Sequence, residues 1–413
     1  MNLKSRSFFV VFAICVVLFF ILFLAILLFA VYRGSTSGVQ HSDVSVVKNL
    51  TNKEAPFKEF SDFFVEIAKD KGAVYAYELM KTAPLPFGLD QHLLGHVVGD
   101  VLYEQEGIDG MQYCTHDFRN ACSHTIVIGA LIEFGTGAFP QIREACKKAP
   151  GGKGAYTMCY HGLGHGVLAF NEYDMNNTVA MCELLSTKEY NNREGVECFG
   201  GAVMEIIGGG GHDHETWEKM RPEYLKKEDP FYLCKSDIVP EEYKPMCYNY
   251  MTPFAFEALG ADMANPGPEI YSKTFALCEE IPKENTEERR SCFGGLGKEF
   301  IGIAIGRNFT PGYEPSTKEL QNMASWCDLA EPHDGKEACF VSVMGSLYWG
   351  GEKPYETPVK FCSLIADKNI MSTCIGQLVF NVSIYVDDPN YRSNFCKALP
   401  PEYKQECEVQ LKN

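Results

Sequence analysis

The chain has 413 residues and a formal net charge of −17, from 54 acidic and 37 basic residues. Such acidity disfavours nucleic acid and anionic lipid surfaces as partners. Its 17 cysteines, once their spacing is considered, point away from a reducing compartment.

Lys4 and Arg6 precede an apolar, uncharged run over residues 8–32. As a helix it would span about 37 Å, against about 30 Å of bilayer hydrocarbon. The run is longer than a secretory h-region and no small-x-small cleavage site follows it, so it reads as an uncleaved transmembrane signal anchor. Lys4 and Arg6 hold residues 1–7 as a cytoplasmic tip, and the rest is exported to the cell surface or a periplasm-like space. Residues 33–56 read as a linker and 57–413 as one extracytoplasmic helical domain, with no later run long enough to span. Phe60, Phe63, Phe64, Ile67, Val74, Tyr77 and Leu79 approximate helical spacing and predict a helix over 57–81, closed by Pro84 and Pro86. Asp90 is placed to cap a second helix running to about Tyr103.

Beyond this point the cysteines set the organisation. Cys15 lies in the anchor, and the others form eight close pairs: Cys114/Cys122, Cys146/Cys159, Cys182/Cys198, Cys234/Cys247, Cys278/Cys292, Cys327/Cys339, Cys362/Cys374 and Cys396/Cys407. Zinc ribbons need Cys-x-x-Cys knuckles, and the chain has none, so each pair is expected to be a disulfide. In each unit a first helix ends near the first cysteine, a polar loop follows, and the second cysteine opens an apolar helix. The predicted fold class is all-α: disulfide-stapled helix-hairpin repeats forming one curved α-solenoid, or an α/α toroid if the array closes. Several second helices are rich in glycine, as in Gly162, Gly164 and Gly166, or Gly200 and Gly201. Each interior glycine costs about 1 kcal/mol relative to alanine, which implies close helix approach or a ligand against the backbone.

Histidines occur at matching register positions in only the first three units. Counting from the cysteine, or from Asp90, His92, His124 and His161 stand at plus two, and His96 and His165 at plus six. His92/His96 and His161/His165 are thus i, i+4 pairs that place two imidazoles on one helical face. Later units carry Gly200, Asn249, Gly294, Val341 and Gly376 at plus two, so the scaffold does not require histidine there. The five histidines are the expected metal ligands for a divalent transition metal, zinc foremost, with non-covalent haem as the alternative cofactor. Glu205 and Glu299, both at plus seven, are candidate general bases, and Asp90, Asp100, Glu133 and Glu172 are further carboxylate partners. A lesser metal motif is Gly211-His212-Asp213-His214-Glu215. Protease His-Glu-x-x-His, Gly-x-Ser-x-Gly, covalent-haem Cys-x-x-Cys-His and P-loop patterns are absent from the sequence.

Gln91-His92-x-x-x-His96-x-x-Gly99 together with Cys159-Tyr160-His161-Gly162 resembles a loose group of prokaryotic extracytoplasmic proteins. These pair a Cys-His-x-x-x-His-x-x-Gly helix with a later Tyr-His-Gly turn. The likeness covers about residues 88–170, and Gln91 stands where the group has cysteine. The resemblance implies a metal-like histidine site and carries no substrate. The sequence therefore predicts a membrane-anchored, extracytoplasmic repeat protein with a histidine-based metal or cofactor site. The alternative is a non-catalytic scaffold that binds a protein or glycan and uses the histidines structurally.

Overall fold

The computed structural model describes residues 38–86, 88–208, 213–262, 265–308, 312–349 and 353–411. The expected anchor over 8–32, with Cys15, lies outside the described residues. Three helices open the described chain: α1 (His41–Asn52), α2 (Phe57–Lys71) and α3 (Ala73–Thr82). Two sequence expectations change here. Part of the expected linker is the helix α1, which packs on α2 and α3. The single helix expected over 57–81 is two, because Gly72 adopts φ 96°, a conformation open to glycine that no α-helix continues through. Asp43 anchors α1: its carboxylate accepts from Lys71 Nζ at 2.7 Å and from the Tyr75 hydroxyl at 2.5 Å.

The remaining helices follow the cysteines. Asp90 caps α4 (Gln91–Glu106) by accepting from the Leu93 amide at 2.9 Å, as its position predicts. Then come α5 (Ala121–Phe134), α6 (Phe139–Lys148), α7 (Gly152–Phe170), α8 (Met175–Leu185), α9 (Arg193–Gly208) and α10 (His214–Tyr224). The short α11 (Tyr232–Lys235), α12 (Lys244–Tyr250) and α13 (Thr252–Ala258) precede α14 (Pro268–Glu279) and α15 (Thr286–Ala304). The chain ends with α16 (Thr317–Cys327), α17 (His333–Tyr348), α18 (Glu356–Cys362), α19 (Lys368–Tyr385), α20 (Pro389–Ala398) and α21 (Pro401–Leu411). No strand occurs among the described residues, only an isolated bridge between Lys226 and Asp229.

All eight expected disulfides are present. Cys114 is bonded to Cys122, Cys146 to Cys159, Cys182 to Cys198 and Cys234 to Cys247. Cys278 is bonded to Cys292, Cys327 to Cys339, Cys362 to Cys374 and Cys396 to Cys407. Their Cα–Cα separations run from 5.3 to 5.8 Å, within ordinary cystine geometry.

The expected place of the second cysteine is corrected, however. Only Cys122 stands at the opening of its helix, directly after Ala121. Cys159, Cys198, Cys247, Cys292, Cys339, Cys374 and Cys407 do not open theirs, since each helix starts upstream of its cysteine. In α15, Thr286 to Ser291 are already helical before Cys292, and in α17, α19 and α21 the helices start at His333, Lys368 and Pro401. The segment before Cys292 looks like loop because it is charged. Yet Glu and Arg are good helix formers, and Glu287 and Glu288 sit favourably against the N-terminal end of the dipole. Ahead of Cys374 the start is set by Asp367, which caps α19 by accepting from the Asn369 and Ile370 amides. Ahead of Cys407 it is set by Pro401, whose fixed φ suits a first helical position.

The second helices pack side by side in chain order: α4 on α5, α5 on α7, α7 on α9, α9 on α12, α12 on α15, α15 on α17, and α17 on α19. The last of these returns to touch α7, where Lys153 Nζ donates to the Ile384 carbonyl at 2.9 Å. Glycine makes the tightest of these contacts possible. A Cβ on Gly164 would fall on the Cys198 carbonyl oxygen, and one on Gly201 on the His161 carbonyl oxygen. Such contact leaves little room for polar side chains, and α5 and α7 carry only Glu133 and Lys153 as charged residues, whereas α9 and α15 keep several. One further segment, Asp117–Lys148, is long and apolar enough by composition to cross a bilayer. Half of its apolar window is buried inside the fold, and it includes α5, packed between α4 and α7.

The Asp43 contact carries a pH dependence. Burial raises its carboxyl pKa, but the bonds from Lys71 and Tyr75 outweigh that and leave it below its ordinary 3.8. A depressed acid stabilises the fold above the unfolded-state pKa, and the stability is lost as pH falls through the folded value. Hydrogen-exchange protection across residues 41–52, taken relative to the unstructured rate at each pH, should therefore fall selectively as pH drops below the ordinary aspartate range. Asp43→Asn should show faster exchange there already at neutral pH; unchanged exchange would remove Asp43 as the anchor.

Candidate functional site

Helix α5 lies between α4 and α7, and His124 on it is the hub of a histidine cluster. Its ring centroid is 5.6 Å from His92, 5.7 Å from His96, 6.2 Å from His161 and 5.7 Å from His165. The two i, i+4 pairs are close within themselves, at 4.6 Å for His92/His96 and 5.3 Å for His161/His165. All five expected ligands thus come together. The part compact enough for one ion is His92, His96 and His124, each offering a nitrogen within 4.8 Å of the others. His161 and His165 flank it across His124. Gly162 makes the approach possible, because a Cβ there would overlap the His124 ring. Among the described residues no cysteine joins the histidine cluster: Cys122 and Cys159, on the same helices as these histidines, are spent in disulfides, as are Cys339, Cys374 and Cys407 further along the array. Their sulfurs hold the scaffold and offer no thiolate.

Hydrogen bonds fix which nitrogens can act as ligands. His92 Nδ1 lies 2.7 Å from the Phe118 carbonyl, which can only accept, so the neutral ring carries its proton there and turns the Nε2 lone pair inward. His165 Nδ1 lies 3.0 Å from Glu205 Oε2, and the same logic leaves the His165 Nε2 lone pair available. Glu205 is itself positioned by the Tyr173 hydroxyl at 3.2 Å. The His92 and His96 Nε2 atoms are 3.1 Å apart. Two nitrogens bound to one tetrahedral zinc stand about 3.3 Å apart, given zinc–nitrogen bonds of about 2.0–2.1 Å.

Burial keeps His92, His124 and His161 neutral, the form that binds metals. It pushes His92 down to about 4 and holds His124 and His161 well below the usual histidine range. Both nitrogens of His124, His161 Nδ1 and His165 Nε2 are buried with no hydrogen-bond partner in the protein. A neutral imidazole carries one donor and one acceptor, and leaving both orphaned is a substantial desolvation penalty. A bound ion would satisfy the lone-pair nitrogen of each such ring.

A cavity of about 1060 Å³ opens beside the cluster, and His92, His124 and His161 line it. Tyr250 lies against His161, ring centroids 5.0 Å apart, and Lys298 Nζ sits 4.6 Å from the Tyr250 centroid in the same wall. The turn leading into α5 is strained: Phe118, Arg119 and Asn120 adopt φ of 55°, 58° and 64° in succession. Left-handed residues other than glycine cost about 1–3 kcal/mol each and persist only where the surroundings impose them. This turn presents the Phe118 carbonyl to His92 and the Arg119 side chain to the cavity.

The other candidates lie as follows. Glu299 pairs with Lys298, and its carboxyl is held below the usual range: burial raises it, but Lys298, Arg119 and Arg307 together outweigh burial. Asp90 is occupied as the α4 cap, Glu133 accepts from the Tyr103 hydroxyl at 2.6 Å, and Asp100 and Glu172 are exposed. His212 lies outside the described residues, while His214 stacks on Trp217 and pairs with Glu218 at 3.3 Å on an exposed helix. Arg119, Tyr250, Lys298, Arg307 and Trp349 were not legible as site residues. Only position could have flagged Lys298 and Tyr250, one residue before Glu299 and three after Cys247. Comparison with protein-family models, with curated proteins and with solved structures gives no match for this chain.

The Gly162 contact can be tested directly. Gly162→Ala should lower stability by about 1–3 kcal/mol through overpacking. It should also shift the His124 ring resonances in NMR spectra of histidine-labelled protein. A change in thermal midpoint with no shift at His124 would detach this glycine from the cluster.

Proposed function

We propose that this chain is an extracytoplasmic, membrane-anchored metal protein whose inner helices close into a ring around a cavity. In this reading His92, His96 and His124 hold a divalent metal, zinc foremost, with His161 and His165 as the adjoining ligands. The observation that carries it is the orphaned pair of nitrogens on buried His124, surrounded by four imidazoles. The partners of His92 and His165, a carbonyl and a carboxylate, are what metal-bound histidines ordinarily have behind them. The eight disulfides fit an oxidising compartment, as the anchor reading requires. Rings already 4.6–6.2 Å apart favour a single ion over a porphyrin between them.

The cluster opens on the cavity through His92, His124 and His161, which makes a substrate-accessible centre a better reading than a closed structural one. When bound, zinc would supply a Lewis acid and a water acidified toward neutral pH. Glu205 then orients His165, and Glu299, held ionised by cations, is a weak base.

Metal analysis of the full-length protein, purified in detergent without chelator, tests this. Zinc or another transition metal should copurify, and His124→Ala should abolish it. Glu205→Ala should weaken affinity by about 10–100-fold in competition with a chromophoric chelator, as loss of an outer partner does elsewhere. Metal-free protein that takes up no added zinc, cobalt or copper, with His124→Ala indistinguishable from the parent, would leave the scaffold reading in its place.

A further inference from the structure

A second cavity adjoins the first, lined by the apolar Ile301, Ile303 and Ile305 among others. The residues lining both are Arg119, Lys298, Arg307, Ser346 and Trp349. That shared wall holds three cations, a hydroxyl and an indole in a chain of net charge −17, and the acid set against it is Glu299, which lines the second cavity and pairs with Lys298. A basic background therefore does not explain it. The acids of the larger cavity stand elsewhere: Glu197 pairs with Arg193 at 2.6 Å, Asp90 caps α4, and Glu242 and Glu287 are exposed.

The backbone gives a second, independent sign. Arg119, Arg307 and Trp349 all adopt left-handed conformations, with φ of 58°, 58° and 48°. Residues with side chains avoid this region unless the surroundings impose it, and such strain collects where geometry serves binding. Three of the five wall residues carry it. They come from separate segments: the turn before α5, the end of α15 and the end of α17.

We propose that this wall receives the oxyanion group of an organic ligand, a phosphate, sulfate or carboxylate carried on a planar body. Guanidinium groups grip such oxygens with paired donors, Lys298 adds a point charge, Ser346 a hydroxyl, and Trp349 a flat surface for the ligand's ring. Glu299 already shows how the wall treats a carboxylate: Lys298 pairs with it, and the fields of Arg119 and Arg307 reach it and keep it ionised. The ligand would extend from this wall into the larger cavity, toward His92, His124 and His161. Arg119 and the carbonyl that orients His92 belong to the same strained turn, so a ligand drawing on Arg119 also tightens the support of His92.

This inference names the substrate class for the proposed metal centre, but its evidence is separate from the histidines. The experiment uses full-length protein in detergent micelles, with metal content measured on each preparation. Isothermal titration with phenyl phosphate, phenyl sulfate and benzoate, at constant ionic strength in chloride, should give saturable binding of at least one probe. Which one binds tightest identifies the oxyanion. Arg307→Gln and Lys298→Gln should each weaken it by about tenfold or more, the effect of losing a charge-assisted hydrogen bond. Neither should change metal content, and Arg193→Gln should leave probe binding unchanged. Benzyl alcohol should not compete. Binding that is equal in both wall variants and the parent, or absent for all three probes at millimolar concentration, overturns the proposal. Probe binding by metal-free protein retains it and removes the metal reading; a loaded centre with no probe binding does the reverse.

Discussion

Helices buried on both flanks cannot carry the charges that usually keep an amphipathic helix oriented, and that constraint governs this molecule. Helices α5 and α7 touch neighbours on two sides and carry one charged residue each, Glu133 and Lys153, with backbone against backbone where glycine permits. Stripped of a polar face, such a segment has no intrinsic rotational preference to fix its register. The cystines supply it. Cys146 to Cys159 and Cys182 to Cys198 each tie a buried helix, within its N-terminal half, to the end of the preceding helix. Rotating α7 by one residue would break its disulfide and carry Gly162 off His124 together.

Holding register has a chemical consequence. Imidazoles at matching positions on three adjacent helices are forced to meet, and the packing that brings them together also excludes water. Burial alone then disfavours the imidazolium form, as the depressed His92 shows. A neutral ring offers one donor and one acceptor, and His96 and His92 pair through their Nε2 atoms at 3.1 Å. His92 and His165 also reach out to Phe118 and Glu205, and His124, at the centre, has no protein atom to reach.

Much of this was readable in advance, for identifiable reasons. Disulfide pairing followed from proximity in sequence, because hairpin loops this short leave few other partners in reach. The histidine cluster followed from register, because a repeat turns equal offsets into equal orientation. Helix boundaries were less legible. Charged first turns such as Thr286 to Ser291 look like loop in composition but are helical, so the cysteine marks a point inside the helix and not its start. Gly72, conversely, breaks a helix that periodicity would run through. The wall of Arg119, Lys298, Arg307 and Trp349 could not be read. Its members occupy no common register and lie at turns and helix ends whose meeting depends on the way the array returns from α19 to α7.

Glu205 and Glu299 show what repetition does and does not fix. Both stand seven residues after the second cysteine of their unit, so the scaffold gives them the same offset along equivalent helices. Their neighbours differ by position around the array. Glu205 faces α7 and receives an imidazole, while Glu299 adjoins Lys298 and feels two guanidinium groups from other segments. One carboxylate thereby supports a Lewis base and the other is neutralised by cations. The same division runs through the cavity: α4, α5 and α7 contribute the imidazoles of His92, His124 and His161, and α15, the residues just after it and the turn before α5 contribute the positive charge of Lys298, Arg307 and Arg119. An array of similar hairpins can build two chemically opposite walls only because the register positions that face inward need not carry the same residue. Substitution at a few of those positions, on a frame already locked by cystines, is enough to place a wall of cations opposite a cluster of buried imidazoles.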